Sequence, residues 1–309
     1  MIPTPVRRLA CALGTCGTLL GAAPAAAEAF DPLYQRLVFA DHREDRPVRN
    51  VAGVEREVST RTAQYATFDD RPVRGYMARP AAAEKPTPGV LVIHEWWGLN
   101  DNIRALSRRL AANGYTALAV DLYAGETAET SEQARSLLER AMRDEQRLRR
   151  NLREAVDYLD VMPSTTRVGS IGWHFGGGWS LRSALMFPDP LDAAVIYYGE
   201  PVTDKAELEA LSAPVLGHFG AEGSSISIKH VRAFEAALTE LEKAHEIHLY
   251  EGAGHAFDDP AGTRNVAESA GLAWRRTLDF LERTLQPESE DGADPETEIA
   301  VDDSAPTSG

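Results

Sequence analysis

Cysteine is nearly absent from this sequence, whose 309 residues include only Cys11 and Cys16. Both lie in a segment that has an early pair of arginines, an apolar run over 9–23 and an alanine-rich stretch ending at Ala27. These are the parts of a secretory signal peptide, so we predict cleavage after Ala27 and export, in a bacterium to the periplasm. The mature chain 28–309 then has no cysteine, which excludes a thiolate nucleophile, a disulfide and a thiolate metal site.

Positive charge is also scarce. The chain has 32 lysines and arginines against 47 aspartates and glutamates, a formal net charge of −15. An acidic surface repels nucleic-acid phosphates and anionic lipid headgroups, so we expect no nucleic-acid partner. After the signal is removed, no apolar run is long enough to span a membrane. We expect a monomer whose partner is a small molecule.

The two ends of the chain differ in composition from its middle. Residues 287–309 hold eight acidic residues and no basic one, which predicts a disordered acidic tail. We interpret residues 28–60 as an N-terminal extension. Residues 61–286 contain no repeat and no linker, so we interpret them as a single domain.

Within that domain, short apolar runs alternate with segments of helical length. This alternation predicts an α/β fold with a mostly parallel central sheet and helices on both faces. Ligands of such sheets bind at the carboxyl ends of the strands. The predicted strands are 62–68, 73–78, 89–94, 115–121, 167–172, 193–198, 214–219 and 246–250, and the predicted helices are 102–113, 130–160, 176–187, 226–243 and 263–285.

Two histidines stand where hydrolases of this fold class keep catalytic side chains. His174 is the central residue of Gly172-Trp-His-Phe-Gly176, between a predicted strand and a predicted helix. That spacing is typical of the nucleophile elbow of α/β-hydrolases, in which flanking glycines relieve crowding. His255 follows the last predicted strand in a glycine-rich loop, the place of a triad's general base. His218, inside an apolar run, is interpreted as a core histidine.

Six ordered motifs together resemble the dienelactone hydrolase family over about residues 60–285. The resemblance implies a single-domain α/β-hydrolase fold and hydrolysis of a small ester or lactone without a cofactor. The motifs are Val92–Asn100, Asp121–Gly125, Gly172–Gly177, Ala194–Gly199, Pro214–Gly220 and Gly252–Phe257.

The family's catalytic triad of cysteine, aspartate and histidine is only partly matched. His255 matches the histidine, but His174 stands at the cysteine position and Gly223 at the aspartate position. The resemblance also assigns Glu95 to the glutamate that interacts with the nucleophile in relatives. It implies an oxyanion hole formed by the amides of Trp96 and Phe175.

Three interpretations of this altered triad remain open at this stage. The first is a hydrolase with rearranged chemistry, in which Glu222 or Glu200 replaces the missing acid. The second is an inactive homologue that binds a small ligand in the same pocket. The third is a metal-dependent hydrolase that uses His174, His255 and Glu95.

Four tryptophans near the mouth loops suggest either an aromatic substrate pocket or core packing: Trp96, Trp97, Trp173 and Trp179. For the pocket we select Trp97, Trp173 and Tyr123. Asp258 and Asp259 stand where the resemblance places a substrate-binding arginine. We therefore do not expect an anionic dienelactone as the substrate.

Overall fold

The computed structural model describes residues 44–223, 225–259 and 265–286. The predicted signal peptide 1–27 and acidic tail 287–309 lie outside these ranges, so both stay predictions. Among the described helices, none combines the length and the apolar composition that crossing a bilayer requires.

Nine strands of the described chain form one sheet. In sheet order they run β1-β2-β3-β5-β4-β6-β7-β8-β9, and the pairs from β5 through β4 to β9 are parallel. The first three strands add an antiparallel edge. The bounds are β1 Glu44–Arg49, β2 Glu55–Phe68, β3 Arg71–Pro80, β4 Thr87–Ile93, β5 Thr116–Ala119, β6 Thr165–Trp173, β7 Ala193–Tyr197, β8 Val215–Gly220 and β9 His245–Tyr250.

Helices cover both faces of this sheet, which confirms the predicted fold class. Successive residues of a strand point to opposite faces, and β4 shows the result: Leu91 belongs to one buried cluster and Val92 to the other. The described helices are α1 Asp101–Ala112, α2 Ser131–Arg143, α3 Glu145–Asp160, α4 Phe175–Met186, α5 Lys205–Leu208, α6 Ile228–Glu240 and α7 Ala267–Leu285. Side chains of α2, α3, α4 and α6 bury the first cluster, and those of α1 and α7 bury the second.

The long predicted helix over 130–160 is two helices in the structure. Asp144 interrupts it with φ −118° and ψ 64°, and its side chain accepts a hydrogen bond from the amide of Arg147. Asp144 is therefore the N-cap of α3, a position that aspartate favours because its carboxylate satisfies a free amide. Side chains of both helices, α2 and α3, contribute to the first cluster.

The sheet begins earlier than the sequence suggested. β1 and the first part of β2 fall within 28–60, the stretch interpreted as an extension outside the domain. β1 reads Glu-Asp-Arg-Pro-Val-Arg, and charged residues with a proline are typical of an edge strand, which has no apolar alternation to reveal it. The hairpin between β2 and β3 was predicted correctly, and it turns at Asp69 and Asp70, both with positive φ.

His218 lies in the core, as predicted. It is fully buried in β8. Its Nδ1 lies 2.9 Å from the hydroxyl of Tyr250, and its Nε2 lies 3.0 Å from the hydroxyl of Thr277. Burial holds the pKa of His218 well below its ordinary value. The ring is therefore an uncharged bridge between β9 and α7.

Candidate active site

His174 occupies a sharp turn between β6 and α4. Its φ of 50° and ψ of −112° lie outside the regions that L residues favour. The amide of His174 donates to the carbonyl of Tyr197 at 2.9 Å, and its carbonyl accepts from the amide of Gly178 at 3.1 Å. Hydrogen bonds to β7 and to the first turn of α4 therefore hold the backbone in this strained conformation.

Two glycines permit the turn, for a reason visible in the packing. A Cβ added at Gly172 would lie 2.1 Å from the carbonyl oxygen of Gly176. One added at Gly176 would lie 2.2 Å from the carbonyl oxygen of Ile93, at the end of β4. No side chain fits at either distance. The first turn of α4 thus lies directly on the end of β4, beside the loop that carries Glu95.

His255 lies next to His174 at the carboxyl edge of the sheet. The two imidazole centroids are 4.9 Å apart, and the ring planes are nearly perpendicular at 85°. The indole of Trp96 lies 5.7 Å from the His174 ring, and the Tyr198 ring lies 5.3 Å from the His255 ring. The structure therefore brings together the two predicted histidines and the predicted oxyanion loop.

Burial lowers the pKa of His174 below its ordinary value of 6.5. Partial withdrawal from water disfavours the imidazolium form, so the ring is uncharged at neutral pH. An uncharged imidazole has a nitrogen lone pair available, which is what a nucleophile or a general base needs.

Glu95 is buried behind these rings, with 6% of its surface exposed. The hydroxyl of Tyr198 donates a hydrogen bond to its Oε1 at 3.3 Å. Burial, with the negative charges of Asp259 and Asp258 acting in the same direction, raises the pKa of Glu95 to about 8. At neutral pH this carboxyl therefore keeps its proton, and it presents a neutral acid rather than a negative charge.

His94 acts in the structure as a connector between two loops. Its Nε2 accepts a hydrogen bond from the amide of Leu122 at 3.2 Å, which assigns the proton to Nδ1, beside the carbonyl oxygen of Glu95. Burial lowers the pKa of His94 to about 4. The neutral ring ties the loop after β4 to the loop after β5 and so positions the backbone of Trp96.

The two candidate replacement acids differ in their surroundings. Glu222 is exposed, and Oε1 of Glu200 lies 3.4 Å from Nδ1 of His230. Gly223 has the better position, because a Cβ built there would lie 3.6 Å from the amide nitrogen of His255. The backbone at residue 223 is thus beside the His255 loop, but it carries no carboxylate.

A cavity of about 570 Å³ opens beside His174 and His255. Its wall is mainly apolar and its rim is mainly acidic. The sequence indicated Trp179 as one of the tryptophans of a possible pocket, but it did not indicate Leu138, Met142 or Ile226. The apolar wall includes Leu138, Met142, Phe175, Trp179 and Ile226, and the charged rim includes Glu145, Arg182, Glu200 and Glu207.

The three aromatic residues selected from the sequence lie elsewhere. Trp173 is buried in the second cluster, where its indole N–H donates to Asp258 at 3.0 Å, so it packs in the core rather than in this wall. Trp97 packs against Trp96 at 5.1 Å. Tyr123 lies behind the wall against Phe175 at 6.2 Å, and its buried hydroxyl has no hydrogen-bond partner among the described residues.

The geometry gives the metal interpretation no support. In the described part of the chain, no three His, Cys, Asp or Glu side chains are arranged to hold a metal ion.

The stability of Glu95→Gln relative to the parent should increase as the pH rises. Because folding raises the pKa of Glu95 from 4.5 to about 8, the parent loses stability as pH rises through this interval. Linkage gives a relative gain of about 3 kcal/mol for Glu95→Gln between pH 5 and pH 8. Urea unfolding at both pH values measures it, and the exposed Glu222→Gln should show no such trend. A pH-independent difference for Glu95→Gln would contradict the protonated state.

Comparison with known proteins agrees with this geometry. Residues 73–285 match the sequence profile described as "Dienelactone hydrolase family". A Saccharolobus solfataricus protein named "Putative carboxymethylenebutenolidase" is 28% identical over 252 residues, covering 70% of this chain and 95% of the relative. Protein usf of Aquifex pyrophilus is 31% identical over 227 residues, covering 69% and 94%.

A solved structure shows the same fold. The dienelactone hydrolase-like promiscuous phosphotriesterase P91, from metagenomic libraries, superposes with a TM-score of 0.66 at 24% identity, over 74% of this chain and 98% of P91. The profile match covers more than half of the chain. The chain therefore belongs to the dienelactone hydrolase family of α/β-hydrolases.

Proposed function

We propose that this protein hydrolyses a small, uncharged ester or lactone in the cavity beside His174 and His255. One observation carries the proposal: an uncharged imidazole stands on the elbow, with a second imidazole centred 4.9 Å away. The family supplies the reaction class, and the site supplies the groups for an acyl transfer that needs no thiol.

The reaction has two steps. In the first, a nitrogen of His174 attacks the carbonyl carbon, and the amides of Trp96 and Phe175 stabilise the oxyanion. The carbon–oxygen bond to the alcohol then breaks, and the imidazole proton passes to the leaving alkoxide. In the second step, His255 takes a proton from water while the oxygen of that water attacks the acyl-imidazole. The bond between the acyl carbon and the His174 nitrogen then breaks, His255 passes its proton to that nitrogen, and the carboxylic acid leaves with both imidazoles restored.

The loss of the family's triad aspartate limits the rate that this arrangement supports. Position 223, to which the resemblance assigns that aspartate, is a glycine in this chain. Loss of the acid from a serine triad costs a factor of about 10⁴ in turnover. We therefore propose activated esters and strained lactones as substrates.

The charges around the site support an uncharged substrate. Glu145, Glu200 and Glu207 outnumber Arg182 among the charged residues that line the cavity. This excess of carboxylates repels a substrate that carries its own carboxylate.

Hydrolysis of p-nitrophenyl acetate tests the proposal. We expect the parent protein to hydrolyse this ester faster than buffer alone does. His174→Ala and His255→Ala should each lower kcat/KM by at least about a hundredfold, because each removes a general base or a nucleophile. Because burial lowers the pKa of His174, protonation of this ring should slow the reaction only on the acidic side of the ordinary histidine pKa. Chelator should have no effect.

The matched control is His230→Ala, which removes a histidine outside the pair. It should keep kcat/KM within about twofold of the parent, since it removes no reacting group. An active parent whose rate is unchanged in His174→Ala would refute the assigned role of His174.

A second function, ligand binding without turnover, is favoured by the glycine at position 223. A chain that keeps the cavity while lacking a cysteine at the elbow and an aspartate at position 223 has what a binding protein needs. If the scaffold is an intact hydrolase scaffold, His174→Cys combined with Gly223→Asp should raise esterase activity by at least about tenfold, because it supplies a thiol nucleophile and an acid for His255.

The space at Gly223 makes this design practical. The nearest atom to an added Cβ there is the Gly220 carbonyl oxygen at 3.3 Å, a close contact that a small shift relieves. His174→Cys alone is the control, since it lacks the acid. A folded double variant no more active than this control would contradict the assignment of residue 223 to the triad position.

We also propose that the protein acts outside the cytoplasm after cleavage following Ala27. Expression of the full-length gene in a bacterium should yield a periplasmic protein whose intact mass corresponds to residues 28–309. A cytoplasmic protein with an intact N-terminus would exclude the signal peptide.

A further inference from the structure

A hydrogen bond between two side chains connects the segments that carry the histidine pair. The indole N–H of Trp173 donates to Oδ2 of Asp258 at 3.0 Å. Trp173 immediately precedes His174 at the end of β6, and Asp258 follows His255 by three residues. Among the hydrogen bonds between described residues, no other joins β6 to the loop 251–259. Residues 85 positions apart in the sequence are thus linked beside both imidazoles.

The donor end of this bond is rigidly held. Trp173 is 1% exposed, and its ring stacks on that of Tyr197 with 5.2 Å between the centroids. The two residues are also partners in the parallel pairing of β6 and β7. A side chain in such close-packed surroundings keeps one rotamer. The indole therefore presents its N–H in a fixed direction, toward the loop that carries His255.

The loop at the acceptor end has small residues on both sides of His255. These residues are Gly252, Gly254 and Ala256, and both Gly252 and Ala256 have positive φ. Glycine gives the backbone more accessible conformations than any other residue. The position of His255 therefore depends on the contacts that the following residues make.

Two residues beyond His255 supply such contacts, each in a different way. Phe257 is fully buried, and its ring lies 5.6 Å from that of Tyr198 and 4.9 Å from that of Tyr250. Apolar burial of this kind is non-directional. Asp258 adds a directional contact, because a hydrogen bond needs its donor and acceptor aligned. Phe257 thus anchors the loop in the core, and Asp258 orients it toward β6.

The carboxyl of Asp258 can accept this hydrogen bond in either protonation state. Burial raises the pKa of Asp258 to about 7, while the hydrogen bond from Trp173 and the positive charge of Arg109 act to lower it. Arg109 itself lies over the ring of Trp274, 4.2 Å from the centroid. Both the ionised and the protonated carboxyl have an oxygen that accepts an N–H, and so does the amide of asparagine. The bond therefore persists across neutral pH.

We infer that Asp258 is a positioning residue, which holds His255 against His174 through its hydrogen bond to Trp173. The inference rests on the proposed function, since it concerns the reaction in which His255 takes a proton from water. Asp258 is not among the residues that line the cavity. Its loss therefore slows turnover by displacing His255 and not by removing a contact with the substrate.

Hydrogen exchange followed by mass spectrometry tests the positioning without using activity. In Asp258→Ala, amides of the loop 251–259 should exchange at least about tenfold faster than in the parent, because local opening becomes easier. Asp258→Asn keeps an acceptor and should stay within about twofold of the parent. The matched control is Asp192→Ala, since the Asp192 carboxylate also bonds to β6, at the amide of Val168 away from the elbow. It should leave exchange in this loop unchanged.

Hydrolysis of p-nitrophenyl acetate tests the consequence for the reaction. We expect Asp258→Ala to lower kcat by at least about tenfold, because a reacting group misplaced by about 1 Å can cost about a hundredfold. Asp258→Asn should recover kcat to within about threefold of the parent. Trp173→Phe removes the donor and keeps an aromatic ring, so its effect and that of Asp258→Ala should not add in the double variant. If Asp258→Ala does not fold, Trp173→Phe replaces it in both measurements.

The outcomes distinguish this inference from the proposed function. Unchanged exchange in Asp258→Ala, or an equal increase in Asp192→Ala, overturns the positioning of His255 whether or not the protein hydrolyses esters. In an active parent, a kcat unchanged in Asp258→Ala, or one as low in Asp258→Asn as in Asp258→Ala, overturns the part of Asp258 in the reaction. If the parent is no faster than buffer, the proposed function fails, and the exchange rates alone decide whether Asp258 holds His255.

Discussion

Close packing of backbone on backbone at the carboxyl edge of the sheet is the constraint on which the site depends. The first turn of α4 touches the ends of β4 and β7, and a methyl group at Gly176 or Gly199 would lie within 2.3 Å of main-chain atoms. This packing leaves His174 only a positive φ, a conformation that costs about 1–3 kcal/mol and persists because its neighbours hold it. The strained turn directs the imidazole out of the sheet toward His255.

Burial then determines which protons the site holds. Withdrawal from water lowers the pKa of His174 and raises that of Glu95, so both groups are uncharged at neutral pH. A neutral imidazole beside a neutral carboxylic acid differs from an imidazole–carboxylate pair, in which opposite charges stabilise each other. The altered side chains therefore change the electrostatics of the site while the scaffold around it stays that of the family.

The sequence predicted the fold well because apolar runs report directly on burial. The apolar run 90–93 of β4 has helices on both of its faces, and its residues alternate between the two buried clusters. The prediction was less accurate where a helix cap or backbone pairing, rather than hydrophobic periodicity, sets the bounds of an element. Asp144 divides a long helical pattern by capping a new helix, and β1 pairs through its backbone although its side chains are charged. Such features depend on hydrogen bonds that hydrophobic periodicity does not record.

For the active site too, some features could be predicted from the sequence and others could not. By itself the sequence determined the family, the elbow spacing around His174, the loop position of His255 and the absence of cysteine from 28–309, because these follow from residue types and their order. Only the tertiary structure decided that Trp173 packs in the core, that Trp179 and Leu138 wall the cavity, and that burial near Asp259 and Asp258 lets Glu95 keep its proton. Those properties depend on distances between residues far apart in the chain, which only folding brings together.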